Sequence, residues 1–245
     1  MSAFALSDRE RIEMGLLIRG GPRQKVPLNR QSLDPALVFA DVSQSARLQS
    51  YLELAEKLEA AEEWKQSHTV FLTSAEPGDG RTSTAFNLGW ALASRLAEGA
   101  KPVLVAEFEL ERPAMRRMLG SPRLRYGIDC ALRNIASEEE SAFTLVNDRL
   151  HVSAVRDRMS RRKTQQLLSR AESFLEWAVK EHSWVVVDCP PVHSRRWTKW
   201  YREHAKDVLL LARADWTPQV RLRSAAKKLG SALRGVTMNR AAVLE

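Results

Sequence analysis

Two cysteines in 245 residues, Cys130 and Cys189, are too few for a disulfide framework and make no metal-ligand spacing. Their scarcity fits a reducing compartment. No apolar run approaches the ~18 residues that a membrane-spanning helix needs, and the opening residues lack the long apolar centre of a secretory signal. The five histidines show no metal-ligand spacing. Tyrosine is scarcer, with Tyr51, Tyr126 and Tyr201 the three present. No internal repeat is visible. These absences exclude a stapled secreted module, a helical membrane protein and a repeat array. They leave a soluble cytoplasmic chain as the expectation, long enough to bury the core of one larger domain.

Charge is present but uneven. Residues 141–245 carry 20 Lys and Arg against 10 Asp and Glu, whereas residues 1–140 carry 18 against 20. A basic C-terminal part fits an anionic partner such as nucleic acid or an acidic membrane surface, and equally a solvated face that aids solubility.

Residues 1–40 mix charges with Gly20-Gly21-Pro22, Pro27 and Pro35 around a brief apolar segment at 14–18, which predicts a loosely held extension. Residues 41–245 form the expected domain. Ala46, Leu52, Ala55, Leu58 and Ala61 recur at helical intervals between residues 43 and 64. Short β-branched or aliphatic runs follow at 69–73, 103–106, 149–155, 184–188, 208–212 and 235–239. Helical stripes fall between them: one from Thr82, a short one from Pro113, one over 167–179 and one from Pro218. Strands alternating with helices imply an α/β fold with a mainly parallel sheet covered on both faces. Ligands in such folds bind beyond the carboxyl ends of the strands.

At one such end lies Thr73-Ser74-Ala75-Glu76-Pro77-Gly78-Asp79-Gly80-Arg81-Thr82-Ser83-Thr84. It reads as G-x-x-x-x-G-K-[ST] with Ala75 at the first glycine and Arg81 at the lysine. A buried strand precedes it and a helix starts on it, which is the context a phosphate-binding loop needs. Pro77, Gly78, Asp79, Gly80, Arg81, Thr82 and Ser83 form the candidate cradle, with Thr82 the hydroxyl for Mg²⁺. A ligand-free Gly/Pro turn is the alternative. The acids Glu107 and Glu109 close the next strand, and Asp188 closes the strand at 184–188. Phosphoryl transfer needs a metal to neutralise charge and a carboxylate to hold it, so Asp188 is the candidate metal-binding acid, held directly or through water.

Together these residues resemble the bacterial tyrosine kinases of capsule and exopolysaccharide synthesis, within the Min/Par-type P-loop ATPases. The resemblance runs from about residue 69 to 239 and rests on four motifs in order. They are the 73–82 loop with Asn87-Leu88 in the next helix, and Val103-Leu104-Val105-Ala106-Glu107-Phe108-Glu109-Leu110-Glu111-Arg112-Pro113, similar to Asp-x-Asp-Leu-Arg-x-Pro. Asp188-Cys189-Pro190-Pro191 and Gly235-Val236-Thr237-Met238-Asn239-Arg240 complete the set. It implies a three-layer P-loop NTPase-like fold that binds ATP or ADP with Mg²⁺. Arg81, Glu107, Glu109 and Asp188 would be the catalytic set, Glu107 would join Thr82 and Asp188 at the metal, and Asn239 would lie near the adenine. It further implies an integral-membrane chain-length regulator as partner and work at the inner face of the plasma membrane; a homo-oligomer stays open, because the family's glutamate/arginine oligomerisation pattern is not recognisable in residues 43–64.

The chain departs from this pattern at the chemistry. Arg81 replaces a compact ammonium by a planar fork, and Glu107 and Glu109 each extend a carboxylate by one methylene. No tyrosine-rich tail is present. Reduced or absent tyrosine kinase activity is therefore the expectation. A Min/Par-type ATPase switch on membrane or DNA is the alternative, and a scaffold without nucleotide a third reading. A last departure is His193-Ser194-Arg195-Arg196-Trp197-Thr198-Lys199-Trp200-Tyr201-Arg202, which fits either an anion-gripping surface or a helix with its tryptophans turned inward.

Overall fold

The structure, a computed structural model, describes residues 17–19, 25–27, 32–38, 45–61, 68–145 and 148–240. A small antiparallel pair, β1 (Leu17–Arg19) and β2 (Lys25–Pro27), precedes helix α1 (Ser45–Ala60). Then come β3 (Thr69–Ser74), α2 (Arg81–Arg95), β4 (Val103–Glu107) and three one-turn helices, α3 (Met115–Met118), α4 (Ile128–Ala131) and α5 (Glu138–Ser141). They are followed by β5 (Phe143–Leu145), β6 (Leu150–Ser153), α6 (Arg161–Leu168), α7 (Ala171–Glu181) and β7 (Trp184–Asp188). The chain closes with α8 (Lys199–His204), β8 (Val208–Arg213), α9 (Gln219–Leu229) and β9 (Leu233–Asn239).

Seven strands form one sheet in the order β5-β6-β4-β7-β3-β8-β9. All neighbours are parallel except β5, which pairs antiparallel with β6. Side chains alternate across a strand, so Val70 and Leu72 of β3 enter one core with Ala85, Leu88 and Leu92 of α2. Phe71 enters the other, with Phe174 of α7 and Ala225 of α9. The result is the expected three layers. Helix α2 lies close on the sheet because Gly89 has no side chain; a Cβ there would stand 2.3 Å from Val105 Cγ2.

Residues 32–38, assigned by composition to a loosely held extension, are docked on the domain. Leu37 and Val38 are buried. Asn87 of α2 accepts from Val38 N at 3.0 Å and donates to Ala36 O at 2.9 Å, while Asp34 N donates to Met118 O at 2.8 Å. Apart from these residues, β1 and β2, the rest of 1–40 lies outside the described residues, as do 43–44 and 62–64 of the expected first helix.

The stripe at 167–179 is part of two helices, α6 and α7, separated at Ser169 and Arg170. Ser160 caps the first of them on Lys163 N. The basic, aromatic stretch at 193–202 takes the inward arrangement. Trp197 and Tyr201 are buried, Trp200 stacks on His204 and Phe108, and Tyr201 Oη donates to Phe108 O at 2.5 Å. Of the two arrangements open for 193–202, the rings take the inward one, with Trp200 partly buried against the core.

Candidate functional site

The central strand β3 ends in the loop that feeds α2. Gly78 and Gly80 both have φ 91°, a left-handed conformation that side chains resist. At Gly80 a Cβ would also stand 1.9 Å from Asn239 Nδ2. The loop is braced from within. Asp79 is buried and accepts from Glu76 N at 2.9 Å and from Thr217 Oγ1 at 2.7 Å, and Asn239 Nδ2 donates to the Asp79 carbonyl at 2.9 Å. The Asp79 side chain is therefore a strut, and what the loop offers a ligand is backbone. Helix α2 has no side-chain cap at its N-terminus, so its first N–H groups remain available to an anion.

Strand β7 pairs beside β3 and brings Asp188 to the same place. Thr82 Oγ1 donates to Asp188 Oδ2 at 2.7 Å. The other oxygen, Oδ1, is buried without a hydrogen-bond partner and faces Arg81 Nη1 at 3.6 Å. Arg81 does not reach out of the loop. Its guanidinium folds back on the end of β7, where Nη1 donates to the Cys189 carbonyl, and its side chain is 11% exposed. Burial pushes Asp188 up to about 6, against the Arg81 charge and the Thr82 hydroxyl that pull it down.

Glu109 pairs with a side chain in this group, whereas Glu107 bonds only backbone amides. Glu109 accepts from Arg196 Nε at 2.8 Å and from Arg112 N at 3.1 Å. Arg196 thus belongs to the site, though its sequence neighbours gave no sign of it beyond a basic run. Glu107 is fully buried beside Asp188, its register partner, but its oxygens are spent on backbone. Its Oε1 accepts from Ala114 N at 2.5 Å and Met115 N at 2.8 Å, and its Oε2 from Val155 N at 2.9 Å. The expected Glu107 at the metal is corrected: both of its oxygens serve backbone amides. Burial raises its carboxyl to about 8, outweighing those three donors.

A pH dependence of stability follows. Glu107 moves from 4.5 to about 8 on folding, so the folded chain holds this proton more tightly than the unfolded one. That contribution is full below pH 4.5 and lost as pH rises through 8. Asp188 acts in the same sense but is spent near pH 6. His182, lowered from 6.5 to about 4 by burial, acts oppositely, destabilising the fold as pH falls from 6.5 through 4. From pH 7 to 8 the slope belongs mainly to Glu107, at roughly 1 kcal/mol lost. Thermal melts at the two pH values should show this loss in the wild type and little of it in Glu107→Gln.

The Thr82–Asp188 pair fits Mg²⁺, since a hydroxyl and a buried, unsatisfied carboxylate oxygen stand together. Next to the loop opens a cavity of about 710 Å³, bounded by Tyr51 and Leu54 of α1, Thr84 of α2, and Asn239 and Arg240 at the end of β9. The Thr84 hydroxyl is buried with no hydrogen-bond partner. Asn239, expected near a base, is at that cavity while its amide nitrogen braces the loop.

No protein-family model and no curated protein matches the chain. Solved structures do. The VpsO kinase domain matches with a TM-score of 0.70 at 22% identity, over 82% of this chain and 100% of that one. The kinase domain of the Escherichia coli tyrosine kinase ETK matches with a TM-score of 0.68 at 18% identity, over 100% and 98%. At greater distance stands the septum site-determining protein MinD of Pyrococcus horikoshii, complexed with Mg-ADP, with a TM-score of 0.56 at 16% identity over 70% of each chain. The chain has the three-layer P-loop fold of the bacterial tyrosine kinase domains, shared more distantly with the Min-type ATPases.

Proposed function

We propose that this protein binds ATP or ADP at the 77–83 loop and regulates exopolysaccharide or capsule polymerisation and export, with tyrosine kinase activity reduced or absent. The observation that carries the nucleotide part is the Thr82–Asp188 hydrogen bond of 2.7 Å under the uncapped start of α2. A carboxylate, a hydroxyl and free backbone amides converge where phosphates would sit. In this reading the phosphates lie on residues 78–83, the nucleoside extends into the cavity at Asn239, and Thr82 and Asp188 hold Mg²⁺. The cation would neutralise phosphate charge when bound.

The reduced chemistry rests on Arg81 and Glu109. Arg81 is engaged by Asp188 and the Cys189 carbonyl, and Glu109 is paired with Arg196. Neither is free in this arrangement to take a proton or to follow a moving phosphoryl group. The polysaccharide setting, a membrane chain-length regulator as partner and a place at the inner membrane face rest on the family resemblance. No helix among the described residues is long and apolar enough to cross a membrane.

Calorimetric titration with ATP and Mg²⁺ tests the nucleotide part. Binding at or below millimolar nucleotide is expected, together with no incorporation of labelled phosphate into tyrosine. Absence of heat at millimolar ATP would remove the nucleotide reading, and robust autophosphorylation the claim of reduced chemistry. A Min/Par-type switch on DNA or membrane draws on the basic C-terminal part, where Arg161, Arg162 and Lys163 of α6 are exposed. It requires binding to DNA or acidic vesicles that weakens steeply with salt.

A further inference from the structure

The loop's cation is already inside the pocket. Arg81 stands where a phosphate-binding loop carries its lysine, but its guanidinium faces the strand-end acid. Nη1 lies 3.6 Å from Asp188 Oδ1 and donates to the Cys189 carbonyl. Asp188 is fully buried, and a buried carboxylate without a counter-charge is costly. Three acids at the strand ends have partners within the chain, although Asp188 Oδ1 itself accepts no hydrogen bond. Asp188 has Arg81 and Thr82, Glu109 has Arg196 and the Arg112 amide, and Glu107 has three backbone amides. Among the described residues no group of three His, Cys, Asp or Glu side chains is placed to hold a metal ion.

A guanidinium carries five N–H donors in a planar fork, whereas an ammonium is a point charge. One edge of Arg81 can therefore stay on Asp188 and the Cys189 carbonyl while its other donors meet phosphate oxygens at the start of α2. A lysine has neither the reach nor the fork for both. Arg81 already sets a positive charge 3.6 Å from Asp188 Oδ1, the oxygen left without a hydrogen-bond partner.

We propose that the Arg81 guanidinium is the resident cation of this pocket, bridging Asp188 to the phosphates of a nucleoside di- or triphosphate and making a divalent metal dispensable for binding. This inference rests on the proposed nucleotide site and narrows it. Arg196 has the parallel role at Glu109, holding the second acid neutralised beside the first. Arg81 is then a binding residue that takes over the charge compensation usually left to a metal.

The test is the affinity of the purified chain for ADP, measured by calorimetry in excess Mg²⁺ and again in excess EDTA. The two dissociation constants should agree within about threefold. A loss of tenfold or more in EDTA overturns the inference and leaves the nucleotide reading standing. No binding in either arm overturns both. Arg81→Lys should bring metal dependence, with ADP at least tenfold weaker in EDTA than in Mg²⁺; an Arg81→Lys protein that binds equally in both arms removes the assignment to Arg81. Thr82→Ala gives a second measurement independent of that variant. It should change affinity by the same factor in both arms, and a loss confined to the Mg²⁺ arm would overturn the inference, because binding would then depend on the metal that Thr82 helps to hold.

Discussion

Glu107→Ala should destabilise the protein by about 3–5 kcal/mol, a drop of roughly 8–15 °C in melting temperature. Two buried N–H groups, those of Met115 and Val155, and the half-buried one of Ala114 lose their acceptor at once. Leaving a buried donor unpaired costs about 1–3 kcal/mol each, and a small cavity adds to it. Local relaxation and water offset part of that sum. Glu107→Gln keeps an acceptor for the Ala114 and Met115 amides and places an NH₂ against Val155 N, so it should cost less than half as much. The same pair of variants separates the structural role from a catalytic one. If Glu107 were a metal ligand, the alanine variant would lose nucleotide affinity while melting near the wild type; equal melting temperatures would rule out Glu107 as the acceptor that holds these three amides in place.

Gly80→Ala should weaken nucleotide binding by at least about a hundredfold while lowering stability by about 1–3 kcal/mol. A left-handed backbone at φ 91° is open to glycine, and alanine there is strained whatever the space around it. The new methyl would also occupy the place of the Asn239 amide, whose nitrogen holds the Asp79 carbonyl. The loop must then give way at the residue that starts α2, and the first N–H groups of the helix move off the phosphate position. Calorimetry with ADP and a thermal melt on the same sample decide the matter. A folded Gly80→Ala protein with near wild-type affinity would mean that the phosphates do not sit on this loop.

The βαβ order, the phosphate loop and the strand-end position of Asp188 were legible because each depends on local pattern. Apolar β-branched runs set the strands, the change of period after Gly80 sets α2, and parallel pairing then brings strand ends together without further information. What the side chains do at those ends was not legible. Glu109 meets Arg196 across 87 residues and Arg81 meets the Cys189 carbonyl across 108, distances over which no spacing rule holds. A signal for Glu107 did exist. Helix α3 is preceded by Ala114, which has no side-chain oxygen to cap it, so an acceptor had to come from elsewhere in the chain. The antiparallel β5 escaped because three residues are too few to show a period. The inward rings of 193–202 were ambiguous for a different reason: tryptophan and arginine side by side suit a packed helix and a binding surface alike.

Asn87 gives the fold a mechanical property. Its amide bonds the 36–38 segment in both directions, from Val38 N and to Ala36 O, much as one rung of a ladder joins two rails. It lies on α2 five residues after Thr82, about one and a half turns along the helix axis. A pull on the chain upstream of residue 34 loads the Asp34 N–Met118 O bond first, and the two Asn87 bonds carry what passes beyond it to the helix whose first turn faces the phosphate position. The 36–38 segment and the phosphate loop thus share one helix as their common support.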